Sequence, residues 1–234
     1  MREVFLVPNS AGPVPALSLK TGASMKPEIL LLLPIFAPTL AVLEQRYVVH
    51  KLWAAADREA LFREVAPRVR GIVTTGLAGC DAATMQALPK LEIIACFGSS
   101  RHTLDVAVAK ARGVVCTRTP DAITESVADL ALGLMLDVMR RIAAGDRFMI
   151  NVARGAVVNE QALITALQEK RIAGAGLDVF WDEPRVPAAL LAMDNVVLVP
   201  HIGTSTQEVR VERGRKVLAN LQAHFAGQAV PYPV

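Results

Sequence analysis

Short, nearly continuous apolar runs alternate along this chain with longer stretches in which apolar residues return at helical spacing. The first kind reads as strands buried on both faces, the second as amphipathic helices. Together they predict a parallel sheet covered on both sides. From Met25 onward the order is regular. Ile29–Leu33 is an expected strand, Leu40–Arg46 a helix, Tyr47–Leu52 a strand, and Asp57–Val65 a helix capped by Asp57. Gly71–Thr75 is a strand running into the loop Gly76–Gly79, Ala82–Leu88 a helix, and Leu91–Phe97 a buried strand. Leu104–Arg112 is a helix stopped by Gly113, and Val114–Cys116 a short strand. These elements predict a small doubly wound α/β sheet. Met1–Ser24 shows little periodicity and holds several Pro, Gly and Ser, so it is expected to be a disordered extension, with the natural start at Met25.

Thr119-Pro120 leads into a long amphipathic helix over Thr124–Arg141, with Val127, Leu130, Leu134 and Val138 on one face. The stretch from Met149 to Gly203 then reads strand, loop, helix, strand, acidic loop, strand. Met149–Ala153 is the first of these strands. Asn159 caps the helix, Glu160 sits at its positive end, and Lys170 and Arg171 are placed in its last turn. Gly174 and Gly176 are expected to break that helix ahead of a strand at Leu177–Phe180, and Asn195–Pro200 is the third strand. Ser205-Thr206-Gln207-Glu208 reads as a capping box opening the last helix. Val211, Leu218, Leu221 and Phe225 give that helix one apolar face, and Gly227 ends it.

Arg154, Glu183 and His201 each follow the carboxyl end of one of the last three strands. Ligands of open α/β sheets bind outside strand carboxyl ends, so the three are expected to converge on one crevice. Their types suit one task. An Arg fork holds a carboxylate or polarises a carbonyl, a His exchanges a proton near neutral pH, and a carboxylate behind it fixes the tautomer. Each motif alone more often marks a surface charge, a turn or a plain strand end. All three in order are harder to dismiss.

The blocks NVARG, GAGLDVFWDEP and PHIG resemble the signature blocks of the D-isomer-specific 2-hydroxyacid dehydrogenases. TPDAITESVADLALGLML is similar to the helix that links the two domains of that family, and the resemblance runs from about Met25 to the C-terminus. It implies hydride transfer between NAD or NADP and a small 2-oxo or 2-hydroxy acid, with glyoxylate or hydroxypyruvate as first expectation. Arg154 would hold the substrate, His201 would act as acid/base, and Glu183 would be its partner. Val152, Ala153, Arg154, Asp178, His201 and Gly203 would surround the nicotinamide end of the cofactor, Asp178 and Gly203 touching its amide.

The resemblance also implies a flavodoxin-like substrate domain over 25–118 and 206–234, and a truncated Rossmann-type dinucleotide-binding domain over 119–205. In the substrate domain, Leu77 and Ala78 in one loop and Gly98, Ser99 and Ser100 in another are the expected substrate contacts. Such loops either present backbone N–H groups to a carboxylate or form simple strand-to-helix turns. The family has Gly-x-Gly, an aromatic and an Asp where this chain has GSSRH. Ser100 therefore stands at the second glycine and His102 at the Asp, and a Cβ restricts positive φ.

One piece of the pattern is missing. No Gly-x-Gly-x-x-Gly turn, the device that seats a pyrophosphate on a helix N-terminus, occurs anywhere in the chain. By comparison with the family, about 90 residues are absent between Phe148 and Met149, roughly the first half of a dinucleotide fold. The strand Met149–Ala153 is then left as an apolar edge. A rival expectation follows: an inactive relative that serves as a binding or oligomerisation module.

Composition narrows the classes further. The formal net charge is +3, and no basic stripe with interleaved aromatics appears, which argues against a nucleic-acid partner. The apolar run Ile29–Phe36 is too short to cross a bilayer and no secretory signal is seen, so a cytoplasmic protein with no membrane partner is expected. Cys80, Cys96 and Cys116 are far apart in apolar runs and read as reduced core thiols. The four scattered His imply no metal. Family members tend to pair through the dinucleotide domain, which leaves a homodimer open.

Overall fold

The computed structural model describes residues 26–99, 103–139 and 147–234. The expected extension Met1–Ser24, together with Ser100 and His102, lies outside them. The chain divides into two compact units, one holding the residues up to Ala122 with Arg210–Val234, the other Ile123–Val209.

The first unit contains five parallel strands: β1 (Glu28–Leu31), β2 (Val48–Lys51), β3 (Val69–Thr75), β4 (Ile93–Phe97) and β5 (Val115–Thr117). Their order is β2-β1-β3-β4-β5, the flavodoxin-like winding, which reverses direction between β1 and β3. Alternate side chains feed two apolar layers. Ile29, Leu31, Ile93, Ala95 and Phe97 pack on one face with Leu43 of α1 (Ala37–Arg46) and Val217, Leu218 and Leu221 of α8 (Gln207–Phe225). Leu30, Ile72, Ile94 and Cys96 pack on the other, against Val65 of α2 (Arg58–Val65), Met85 of α3 (Ala82–Gln86) and Ala109 of α4 (Val106–Ala111). Both faces being covered explains why the strands read as unbroken apolar runs.

Helix starts follow the local chemistry. Asp57, Asp81 and Asp105 each accept a hydrogen bond from the backbone N–H three residues on. The fourth helix therefore begins after Asp105, not at Leu104. The first begins at Ala37, earlier than Leu40, because Pro38 suits a first helical turn. The last helix is capped by Thr206, whose Oγ1 accepts from Val209 N–H, one residue beyond the expected Ser205.

At the amino ends of β3 and β4, Arg70 grips Glu92 with Nε and Nη2 at 2.6 and 2.9 Å. This guanidinium holds the Glu92 carboxyl below its ordinary value of 4.5. A depressed acid stabilises the fold above its unfolded value and loses that contribution as pH falls through the folded one. The thermal midpoint is therefore expected to drop more steeply below pH 4.5 in the wild type than in Glu92→Gln, as read by thermal unfolding across that range.

The second unit holds α5 (Thr124–Met139), β6 (Phe148–Asn151), α6 (Glu160–Gln168), β7 (Gly174–Leu177), α7 (Ala188–Leu191) and β8 (Val196–Leu198). Its three parallel strands run β6-β7-β8. Here the structure corrects the expected second strand, which spans Gly174–Leu177 and not Leu177–Phe180. The two glycines are part of the strand and do not break the helix. A Cβ on Gly176 would meet Leu134 at 3.1 Å and Ile150 at 2.9 Å, and one on Gly174 would meet Val138 at 3.3 Å, so bare glycine lets α5 lie close to the sheet. Helix α6 ends instead at Gln168, with Lys170 in the left-handed region at φ 55° just beyond it. Leu163, Ile164 and Leu167 of α6 join Ala175 and Leu177 in a core of their own.

Candidate active site

The three expected groups all lie in the second unit, past the carboxyl ends of β6, β7 and β8. Two of them meet. His201 Nδ1 lies 2.7 Å from Glu183 Oε2, with about a third of each side chain exposed. A carboxylate only accepts, so Nδ1 carries the proton in this pair. Glu183 Oε1 takes the backbone N–H of Phe180 at 3.0 Å, which sets the carboxylate's orientation.

The loop bearing His201 is braced from two sides. His201 itself sits at φ 52°, a left-handed conformation unusual for a residue with a Cβ. Asp178, 2% exposed, accepts Ile202 N–H on Oδ1 at 2.7 Å and Gly203 N–H on Oδ2 at 3.0 Å. Burial pushes the Asp178 carboxyl above its ordinary value, opposed by those two amides. From α5, Ser126 Oγ donates to Gly203 O at 2.8 Å. Asp178 and Gly203, the expected nicotinamide contacts, are thus hydrogen-bonded to one another.

Arg154 is held through its backbone. Asn151, 5% exposed at the end of β6, donates from Nδ2 to Arg154 O at 3.1 Å and accepts Ala153 N–H at 3.0 Å. The Arg154 guanidinium is exposed and bonds to Ala153 O at 2.6 Å, not to Glu183 or His201. Val152 lies between these groups in the same loop. Asn151 and Ser126 were not legible as site residues. The one available signal was a polar Asn closing an apolar run, since a buried polar group implies partners.

In the first unit, the loops holding Leu77, Ala78, Gly98 and Ser99 follow β3 and β4 and touch each other. A Cβ on Gly98 would lie 3.1 Å from Gly76 N. The N–H groups of Leu77 and Ala78 both point to Thr75 Oγ1 at 3.3 Å, and Leu77 is largely exposed. Ser100 is outside the described residues. Among those residues, no group of three His, Cys, Asp or Glu is gathered as a metal would need, and no helix is long and apolar enough to cross a membrane.

A histidine–carboxylate pair thus lies past the strands of a parallel sheet, and comparison with known proteins is specific about the class. The profile described as D-isomer specific 2-hydroxyacid dehydrogenase, NAD binding domain, matches residues 40–203. A glyoxylate/hydroxypyruvate reductase A of Arabidopsis thaliana is 27% identical, over 88% of this chain and 98% of its own. Among solved structures, a 2-hydroxyacid dehydrogenase of Ketogulonicigenium vulgare superposes with a TM-score of 0.84 at 27% identity, covering 90% of this chain and 99% of that one. An NADPH-dependent glyoxylate/hydroxypyruvate reductase of Sinorhizobium meliloti, solved with NADP and malonate, gives 0.74 at 26%, covering 89% and 97%. The chain belongs to the D-isomer-specific 2-hydroxyacid dehydrogenase family, whose members are oxidoreductases.

The Arabidopsis alignment is 307 positions long, while 88% of 234 residues is about 206. About a hundred positions therefore have no counterpart here, the size of half a dinucleotide fold. The residues present fit a nicotinamide cofactor at one end only. The His201–Glu183 pair and the Asp178–Gly203 loop are in place, but no glycine-rich turn exists to hold a pyrophosphate.

Proposed function

We propose that this chain is a reductase of a small 2-oxo acid, glyoxylate or hydroxypyruvate, working with NADH or NADPH. The observation that carries the reading is the 2.7 Å contact between Glu183 and His201, which leaves Nε2 free to act. A bound nicotinamide would supply the hydride for the carbonyl carbon. Arg154 pairs with the substrate carboxylate and polarises its carbonyl, a use its exposed fork permits. His201 gives the proton on Nε2 to the oxygen that gains charge, and Glu183 stabilises the imidazolium beforehand, as the carboxylate does in a Ser-His-Asp triad. Leu77, Ala78, Gly98, Ser99 and Ser100 are the further substrate contacts in the same reading. Val152, Ala153, Asp178 and Gly203 are assigned to the nicotinamide. Three free, buried cysteines fit a reducing, cytoplasmic setting.

The test is oxidation of NADH and of NADPH by the 234-residue chain with glyoxylate and with hydroxypyruvate, beside His201→Gln. Turnover with one pair is expected, with a loss of about a hundredfold or more in the variant. The missing phosphate grip favours the rival reading, an inactive binding or oligomerising relative. That reading wins if neither cofactor is oxidised.

A further inference from the structure

Between helices α2 and α3 of the first unit lies an open groove of about 450 Å³, walled by the segments that follow β1, β2 and β3. Its place is set by the winding of the sheet. The strand order reverses between β1 and β3, and open α/β sheets take ligands outside the carboxyl ends of their strands at such a reversal. Leu32, just past β1, lines the groove and ties the two strands together there by donating its N–H to Val73 O at 3.2 Å. None of the residues assigned to substrate or cofactor lines it.

Two chemistries meet in this groove. Leu32, Leu52 and Phe62 form an apolar floor that is only partly buried and is continuous with the core beneath. Arg58 and Arg63 of α2 stand at its edge with Glu59. Arg63 Nε donates to the Glu59 carbonyl at 3.3 Å, and among the described residues neither guanidinium forms an ion pair. Two cations against one carboxylate leave the lining net positive. Asp57, outside the lining, is engaged by Ala60 N–H. A concavity of this size, apolar with a few charged groups, suits a small molecule.

We propose that the groove is a second ligand site, which takes a small carboxylate with an apolar body the size of a ring. The body lies on Leu32, Leu52 and Phe62 and removes their exposed area from water. The carboxylate meets the guanidinium groups of Arg58 and Arg63, whose planar forks match its two oxygens. A neutral analogue keeps the first contribution and loses the second, and a cation meets like charge. The site does not depend on the reaction proposed for the second unit, so either stands if the other falls.

NMR titration of the full chain with phenylacetate, and with its neutral amide phenylacetamide, tests this without requiring catalytic activity. Saturable binding of phenylacetate is expected with a Kd of about 1 mM or tighter, and of the amide about tenfold more weakly. Arg58→Gln with Arg63→Gln is expected to raise the Kd for phenylacetate about tenfold and so erase the preference. Ala87→Trp, which sets an indole into the groove from an exposed position, is expected to abolish binding of both. Far-UV circular dichroism confirms folding. Should Ala87→Trp unfold, the arginine double variant decides, because both side chains are exposed. Arg154→Ala, in the second unit, is expected to leave the titration unchanged. Absence of saturable binding overturns the proposal, as does equal affinity for the amide. So does binding that survives a folded Ala87→Trp or the double variant undiminished, or that is lost in Arg154→Ala, which would put the ligand in the candidate active site.

Discussion

Replacing Arg154 by alanine is expected to cost this chain the most turnover of any single change, about ten-thousandfold in kcat/KM. In the proposed reduction one fork would perform two tasks. It would fix the substrate carboxylate, which orients the carbonyl, and oppose the charge that grows on the carbonyl oxygen. His201 has one task in the reduction and keeps Glu183 beside it at 2.7 Å. The structure also says why the change should be clean. Arg154 is placed by its backbone, through Asn151 Nδ2 on its carbonyl, and its side chain makes a single bond to Ala153 O. Alanine leaves the loop anchored while removing the fork. Steady-state kinetics with the better 2-oxo acid checks it, and wild-type rates in Arg154→Ala would sink the assignment.

Gly155→Ala is expected to destabilise the second unit by about 3 kcal/mol, because the new methyl group meets backbone and not a movable side chain. A Cβ there would stand 2.0 Å from the carbonyl carbon and oxygen of Phe180 and 2.4 Å from Trp181 N. Relief requires the loop after β6 to part from the loop after β7, which carries Glu183. The substitution should therefore also lower turnover. Gly133→Ala is the matched control. It lies within α5 with nothing within 4 Å of its added Cβ, so it gains helix propensity and is expected to stabilise by about 0.5–1 kcal/mol. Urea unfolding of the two variants reads both signs. Equal midpoints would show that the two loops are not packed as described.

Much of the architecture was legible before any coordinates. The unbroken apolar runs announced strands covered on both faces, and the Asp57 and Asn159 caps were placed correctly because an N-cap is a local matter of side chain and nearby backbone. The candidate chemistry was legible too, since Arg154, Glu183 and His201 stand in short blocks whose order along the chain carries the signal. Other features were set by residues far apart in sequence. Gly174 and Gly176 look like helix breakers until α5 is seen lying on the sheet, where only a missing Cβ admits Leu134 and Val138. Asp178 reads as a cofactor contact in sequence; in space its two oxygens are taken by Ile202 and Gly203, 24 and 25 residues later. Ser126 reaches the same loop from 77 residues away. The sequence by itself determined the blocks that mark the family and the alternation that forms a parallel α/β fold. The tertiary structure decided which polar groups hold that chemistry in place, because a buried hydrogen bond is chosen by proximity in space, to which linear spacing is blind.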